Sequence, residues 1–557
     1  MPLSEPTNRE ETMYPKSLRK SASSMYPKPL RKSASSIGTA TLLAFGIFAG
    51  SAGAGELTIG TRSEMTMDPH FFWSTPNRAY NVQLYGSLVR LNNAMRTEPM
   101  IAKAWTLIDD TTWDFRIDPA ATFHDGSKVT AEDVEASFER ALSLENAAAS
   151  YKGALRGIES VAAVDDDTVR VKTAEANPAL LHQIAQISII PAKIAASANQ
   201  ADFISGKAAI GAGPYKFVEF KAGERLVLAR NDAYFGPKAV WDKVVFRAIS
   251  DDAARVSALL GGDVDLIDYV PPSDVARLRR EDGIVVHRNT SDRTMFLIPD
   301  VGREVSPFIT DQDGNPLENN PLQDLRVRKA MAMAIDREAL VARIMDGAGT
   351  PANQNVAPDV LGHAPGLPEI EFNLDAAKEL LADAGYPEGF GLTIHCTNDR
   401  YVNDARICQA LGQMLARLGL NMEVEALPKA VMFPRVRDPE GERTSLMLLS
   451  FGSGTSGDAG GTLTHTIHSY DKDRGFGTWN VGRYANKDVD AVIEAATTTL
   501  DADKRAELQS KAISLAMSDM AVIPLFYNNV IVASRAGLNY TIYADQSTIA
   551  DAAAPAN

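Results

Sequence analysis

Cysteine is scarce: the 557-residue chain holds only Cys396 and Cys408. Two thiols cannot staple a domain that lacks a core, and this far apart they make no metal motif. Basic clusters are missing beyond the N-terminal segment. The net charge is −15, and it becomes −19 without the first 54 residues, which hold seven Lys/Arg and three Asp/Glu. Such a chain repels phosphate backbones, so nucleic acid is excluded as a partner. Long apolar runs are absent after residue 50, so no later stretch reads as a membrane span. Low-complexity linkers are absent too. So are the hydrolase motif G-x-S-x-G, the metalloprotease motif H-E-x-x-H and a phosphate-cradling Walker loop. What is present is 45% hydrophobic and 23% charged, an ordinary folded composition with ample core material. The length suggests two to four domains.

The N-terminus carries a secretory pattern. Basic Lys28, Arg31 and Lys32 precede an apolar run over 37–50 (IGTATLLAFGIFAG), and Ala52-Gly53-Ala54 follows. These are the three regions of a cleavable signal, with cleavage expected near Ala54/Gly55. The run is too short to span a bilayer comfortably, which disfavours an uncleaved anchor helix. No cysteine follows the cleavage site, so a lipoprotein is not expected and a free periplasmic protein is. Residues 13–24 (MYPKSLRKSASS) and 25–36 (MYPKPLRKSASS) are near-duplicates. The repeat does not continue as a solenoid would, and it leaves Met1 and Met25 as alternative starts. In an oxidising compartment Cys396 and Cys408 form either a disulfide or a pair of buried thiols.

Periodicity predicts mixed α and β elements. Strands are expected at 56–60, 112–117, 168–171, 244–248, 264–269, 391–396, 422–426, 445–451, 523–527 and 530–533. A hairpin is expected over 214–220 and 226–229, around Lys221-Ala222-Gly223-Glu224. Thr130 with Asp133 predicts a capped helix, and Val134 and Phe138 give it one apolar face. Helices are also expected at 253–260, 327–345, 376–384, 405–418 and about 489–496. Helix and strand alternating along a long chain predict α/β lobes with open sheets.

Six segments, in order, resemble the peptide/nickel-type solute-binding proteins, family 5, dipeptide- and oligopeptide-binding-like. The first runs from Trp113-Asp114-Phe115-Arg116 through Phe123-His124-Asp125-Gly126 and Val129-Thr130-Ala131-Glu132-Asp133-Val134 to Ser137-Phe138-Glu139-Arg140. The others are Gly211–Phe217 (GAGPYKF), Asn231–Gly236 (NDAYFG), Leu260–Asp265 (LGGDVD), Asp324–Ala330 (DLRVRKA) running into Ala334-Ile335-Asp336-Arg337, and Ala384-Gly385-Tyr386-Pro387. The resemblance covers roughly 56–535 and is mostly structural: turns, caps and helix faces. It implies a two-lobe periplasmic binding-protein fold of the large-ligand class, with an extra subdomain in the first lobe and a hinge between lobes. The expected division is a signal segment at 1–54, lobe I at 55–290 with an inserted subdomain at about 85–200, lobe II at 291–515, and a C-terminal segment at 516–557 returning to lobe I. It further implies a monomeric receptor of an ABC importer, not an enzyme. The receptor captures di- or oligopeptides in a closing cleft and delivers them to permease subunits whose partner ATPases handle ATP. An opine, a sugar conjugate or a nickel chelate is the alternative ligand.

The same resemblance points to site residues. Asp458 follows the Gly-rich loop 452–457 and matches an Asp that pairs with the ligand's α-ammonium. The Trp that often precedes that Asp is missing, with Phe451 nearby instead. Arg400 falls where some members hold the ligand carboxylate, a task suited to a bidentate guanidinium. Asn398 and Tyr401 are expected beside it, Trp479 as a wall, and Glu64 at the first lobe's edge. Asp68-Pro69 reads as a turn. His465 and His468 lack a third metal ligand. Gly452, Gly454 and Gly457 also spell G-x-G-x-x-G after a strand, the fingerprint of a nucleotide-dependent enzyme. That fingerprint needs a helix next, and Asp458-Ala459-Gly460-Gly461 starts one poorly. No catalytic residue, cofactor or metal ligand is assigned.

Overall fold

The computed structural model describes residues 54–62, 65–437, 443–454 and 456–556. They form one α/β unit around a large mixed sheet. The strand Ala54–Thr61 lies between Trp241–Ala248 and Leu266–Ile267, parallel to both, and the hairpin Tyr215–Lys221/Arg225–Arg230 extends that half outward. In the other half Gly391–Thr397 runs parallel to Asn421–Leu427 and Leu446–Gly452. Two long antiparallel strands, Ile284–Pro299 and Ile523–Arg535, pass between the halves and belong to both. Their register shifts between Thr290 and Thr294. This irregularity takes Ser291, Asp292 and Arg293 out of pairing with Ile523–Arg535, while Arg293 stays paired with Gly452 on the other side.

Each half has its own apolar packing. Leu57, Ile59, Tyr80, Tyr85, Phe203 and Phe246 form one core, onto which Tyr540, Ile542 and Ala553 of the C-terminal segment pack. Met295, Met331, Ile394, Ile407, Leu411 and Phe526 belong to a second core. Met447, Leu463, Ile493 and Ile513 belong to a third. A separate four-stranded antiparallel sheet, built from Ala102–Asp109, Thr112–Ile117, Thr168–Thr173 and Ile158–Ala163, carries a fourth core. The helix Ala131–Ser143 covers it, burying Val134 and Phe138. Each such side chain contributes roughly 1.5–3 kcal/mol of burial. The predicted capping box is present: Thr130 N donates to Asp133 Oδ2 at 2.9 Å.

Most predicted elements lie where the periodicity puts them, and three differ. The strand expected at 264–269 shrinks to Leu266–Ile267, and Tyr269 beyond it takes a left-handed φ of 49°. The helix expected at 327–345 breaks at Ile335, whose backbone is extended. Asp336 then caps a new turn, accepting from Ala339 N at 2.9 Å. The two strands expected at 523–533 are one, Ile523–Arg535. Among the described residues no helix is long and apolar enough to cross a membrane.

Candidate functional site

In each half, loops follow the C-terminal ends of parallel strands, the usual place for a ligand in an open α/β sheet. Arg62 and Tyr269 come from one half. Arg400, Tyr401 and the 452–458 loop come from the other, and Asp292 and Arg293 lie on the crossing strand between them.

The Gly-rich loop is shaped by contacts that only glycine allows. At Gly452 a Cβ would lie 2.6 Å from Asp292 Oδ2. At Gly457, with φ of 74°, it would lie 2.6 Å from His182 Nδ1. His182 Nε2 donates to the Gly454 carbonyl at 2.8 Å, which joins the four-stranded subdomain to this loop. Burial holds the His182 pKa down at about 4, so the imidazole stays neutral. Burial pushes Asp292 up to about 6, against the pull of Arg293.

Asp458 is not the unpaired carboxylate that the sequence suggested. Its side chain is buried, and Arg505 Nε donates to Oδ2 at 2.8 Å. The other oxygen accepts from Gly460 N at 2.9 Å. Arg505 also donates to the carbonyls of Thr499 and Leu500. The charge an ammonium would have supplied is already provided by a guanidinium 47 positions along the chain, a pairing no local motif announces. The helical turn that follows, Gly460–Thr462 continued by Leu463–Ile467, is short, and the Asp458 carboxylate sits at its start. A pyrophosphate would meet that negative charge, so the G-x-G-x-x-G spelling carries no nucleotide site.

Around Arg400 the expectation fares differently. Asp404 Oδ2 accepts from Thr397 Oγ1 at 2.8 Å and from the backbone N–H groups of Arg400 and Tyr401 at 3.0 and 3.1 Å, fixing the loop before the helix Asp404–Leu418. The Arg400 side chain is exposed and lies over the Tyr401 ring, 5.1 Å from its centre. Tyr401 donates its hydroxyl to the Ser450 carbonyl at 3.3 Å, and Arg293 Nη1 donates to the same oxygen at 3.4 Å. Arg400, Tyr401 and Arg293 thus share one neighbourhood. Asn398 is exposed and directs its amide to the Ala426 carbonyl at 3.3 Å. Trp479 lies edge-on to Phe433 with Arg437 over its face, and its backbone N–H donates to the carbonyl of His465, whose ring stacks on Phe451. Glu64 lies outside the described residues.

Sequence reading missed four arginines. Arg140 holds Asp68 through Nη1–Oδ1 and Nη2–Oδ2 contacts of 2.7 and 2.6 Å, both residues buried. The Asp68-Pro69 turn is therefore an ion-paired anchor. Arg505 neutralises Asp458. Arg62 lies over Tyr269 at 4.1 Å, and Arg293 stands in the register shift. Only Arg140 sat inside a recognisable motif. Cys396 and Cys408 are bonded, with Cα atoms 6.6 Å apart. His465 donates to the Gly461 carbonyl, and His468 pairs with Glu494.

Residues 96–473 match the profile of the bacterial extracellular solute-binding proteins, family 5, middle region. Over 484 residues the chain is 25% identical to heme-binding protein A of Haemophilus influenzae (strain ATCC 51907 / DSM 11121 / KW20 / Rd), covering 82% of this chain and 83% of that protein. It is 24% identical to the glutathione-binding protein GsiB of Escherichia coli O1:K1 / APEC over 492 residues, covering 87% and 91%. The solved structure of HbpA2 from Haemophilus parasuis superposes with a TM-score of 0.78 at 22% identity, covering 90% of this chain and all of that one. The profile match and these relatives define the class, a solute-binding receptor rather than an enzyme. The chain belongs to the family 5 bacterial extracellular solute-binding proteins.

Proposed function

We propose that the protein is the periplasmic receptor of an ABC importer for peptides, holding them between its lobes and delivering them to membrane permease subunits. One observation carries the choice of ligand. The Arg400 guanidinium is exposed at the C-terminal end of a parallel strand, held over Tyr401, with no carboxylate partner among the described residues. It is available to a ligand carboxylate, which guanidinium binds bidentately. The relatives support the class: one is named for glutathione, itself a tripeptide. Asp458 shapes the loop beside the ligand instead of meeting its ammonium. The 37–50 apolar run fits export through a signal cleaved near Ala54/Gly55 without a lipid anchor, and a monomer suffices. The lobes are 55–290 and 291–515, with 85–200 inserted and 516–557 returning.

A thermal-shift screen of the purified protein against di- to pentapeptides, opines, sugar conjugates and nickel complexes tests this. A ligand at a hundred times its Kd adds about 2.7 kcal/mol of stability. Peptides are expected to raise Tm, and Arg400→Gln to abolish the rise. A rise with another class alone would overturn the peptide reading.

A further inference from the structure

The glycines around the G-x-G-x-x-G spelling hold no nucleotide, yet side chains from distant parts of the chain run into them. A Cβ at Gly452 would lie 2.6 Å from Asp292 Oδ2, one at Gly457 2.6 Å from His182 Nδ1, and one at Gly475 2.8 Å from Arg156 Nη1. The Gly454 carbonyl accepts from His182 Nε2 at 2.8 Å. Asp292 arrives from the crossing strand. His182 and Arg156 arrive from the four-stranded subdomain. This glycine-lined backbone is therefore where that subdomain meets the half built on Gly391–Thr397 and Leu446–Gly452.

The two incoming residues are carried by one rigid piece. Leu180 and Ile184 of the short helix Leu180–Ile184 are fully buried in the subdomain's core, and His182 leaves the opposite side of the helix. Gln183 Nε2 donates to the Arg156 carbonyl at 3.2 Å, and its Oε1 accepts from Asn177 Nδ2 at 2.9 Å. That pair of bonds ties Arg156 to the helix.

The subdomain is fastened firmly to the other half of the molecule. Arg140 holds Asp68 in a buried ion pair, His70 Nε2 donates to the Ser188 carbonyl at 2.9 Å, and Gly211 N donates to His124 Nδ1 at 3.2 Å. Towards Gly454, Gly457 and Gly475 it offers close packing and the His182 hydrogen bond. Such a contact can part and re-form, because one net hydrogen bond changes an equilibrium by about a factor of five. Protein atoms alone make it, so it acts on the two halves directly.

We propose that His182, backed by Arg156, is a positioning residue for solute capture: a latch that seats in the glycine-lined backbone of the opposite lobe and holds the cleft closed. Gly457 and Gly475 supply the clearance, and the Gly454 carbonyl is the catch. Apparent affinity scales with the fraction of protein in the binding-competent state, so a latch that raises this fraction tightens binding without touching the solute. This deepens the receptor reading and rests on its two lobes.

Spin labels on Lys152→Cys and Lys472→Cys test it in the whole protein with no solute added. Both positions are exposed, one on each side of the contact, and the native cysteines are bonded to each other and buried. The labelled parent is expected to show a short distance. His182→Ala and Gly457→Ala should each move the population about fivefold towards a longer distance. The two combined should move it no further than either alone, because both break the same contact. His182→Gln keeps an N–H donor and should bring the short distance back, a recovery that packing alone would not give. Arg156→Ala, at an exposed position that leaves folding untouched, should shift the population the same way by less. Peptide binding should weaken in each variant by the factor by which its lobes open. A parent already at the long distance, or alanine variants that keep the parent's short distance, would overturn the latch and leave the receptor reading standing. Failure of every solute to bind would overturn the receptor reading, and the distances would still decide the latch.

Discussion

The loop around Asp458 and the loop around Arg400 lie close together, carry opposite charges, and use them in opposite ways. Asp458 is buried, paired with Arg505, and turned back into its own loop. Arg400 is exposed, laid over Tyr401, and without an acid partner among the described residues. A buried charge must be compensated within the protein. An exposed guanidinium is satisfied by water and can exchange that water for a ligand. The position of a charged residue in a motif therefore says less about its role than whether the fold has already supplied its counter-charge.

The largest effect should come from breaking the compensated side. Asp458→Ala leaves Arg505 buried without a partner, and Arg140→Met does the same to Asp68. Each is expected to cost about 3–5 kcal/mol, read by urea denaturation. A loss below about 1 kcal/mol would place these pairs among weak surface bridges. Reducing the Cys396–Cys408 bond, which closes a short loop with a separation of 12 residues, is expected to cost about 3 kcal/mol. An unchanged Tm in reductant would contradict this.

Acid acts next. His70, His124 and His182 are held near pKa 4, chiefly by burial. Each is neutral in the folded state and takes up a proton near pH 6.5 when unfolded. Their contribution is complete above about pH 6.5 and shrinks as pH falls towards 4, at about 1.4 kcal/mol per pH unit for each histidine. Stability measured at pH 7, 6 and 5 should decline, and His182→Phe should flatten the decline. An identical profile in that variant would remove His182 from the account. The smallest effect on stability belongs to the open side: Arg400→Gln should shift it by no more than about 0.5 kcal/mol while weakening ligand binding.

The same distinction explains what was legible in the sequence. Val134 and Phe138 marked a helix face, and Thr130 and Asp133 its cap, because each signal spans only a few residues. The loop after the strand Gly391–Thr397 was legible because a strand end and a helix start are both local signals. The Asp458–Arg505 and Asp68–Arg140 pairs were hidden because their partners lie far along the chain and meet only through the tertiary fold. Arg293 was hidden for a related reason. It projects from a register shift between two strands that no single stretch of sequence specifies. The break at Ile335 escaped because the run 327–345 keeps helical periodicity on both sides of it.

The most direct test is one paired thermal-shift measurement with di- to pentapeptides on Asp458→Asn and Arg400→Gln. Asp458→Asn is expected to lower the Tm of the free protein and keep the ligand-induced rise, while Arg400→Gln is expected to keep the Tm and lose the rise. The reverse pattern, a stable Asp458→Asn protein that no longer responds to ligand, would contradict it.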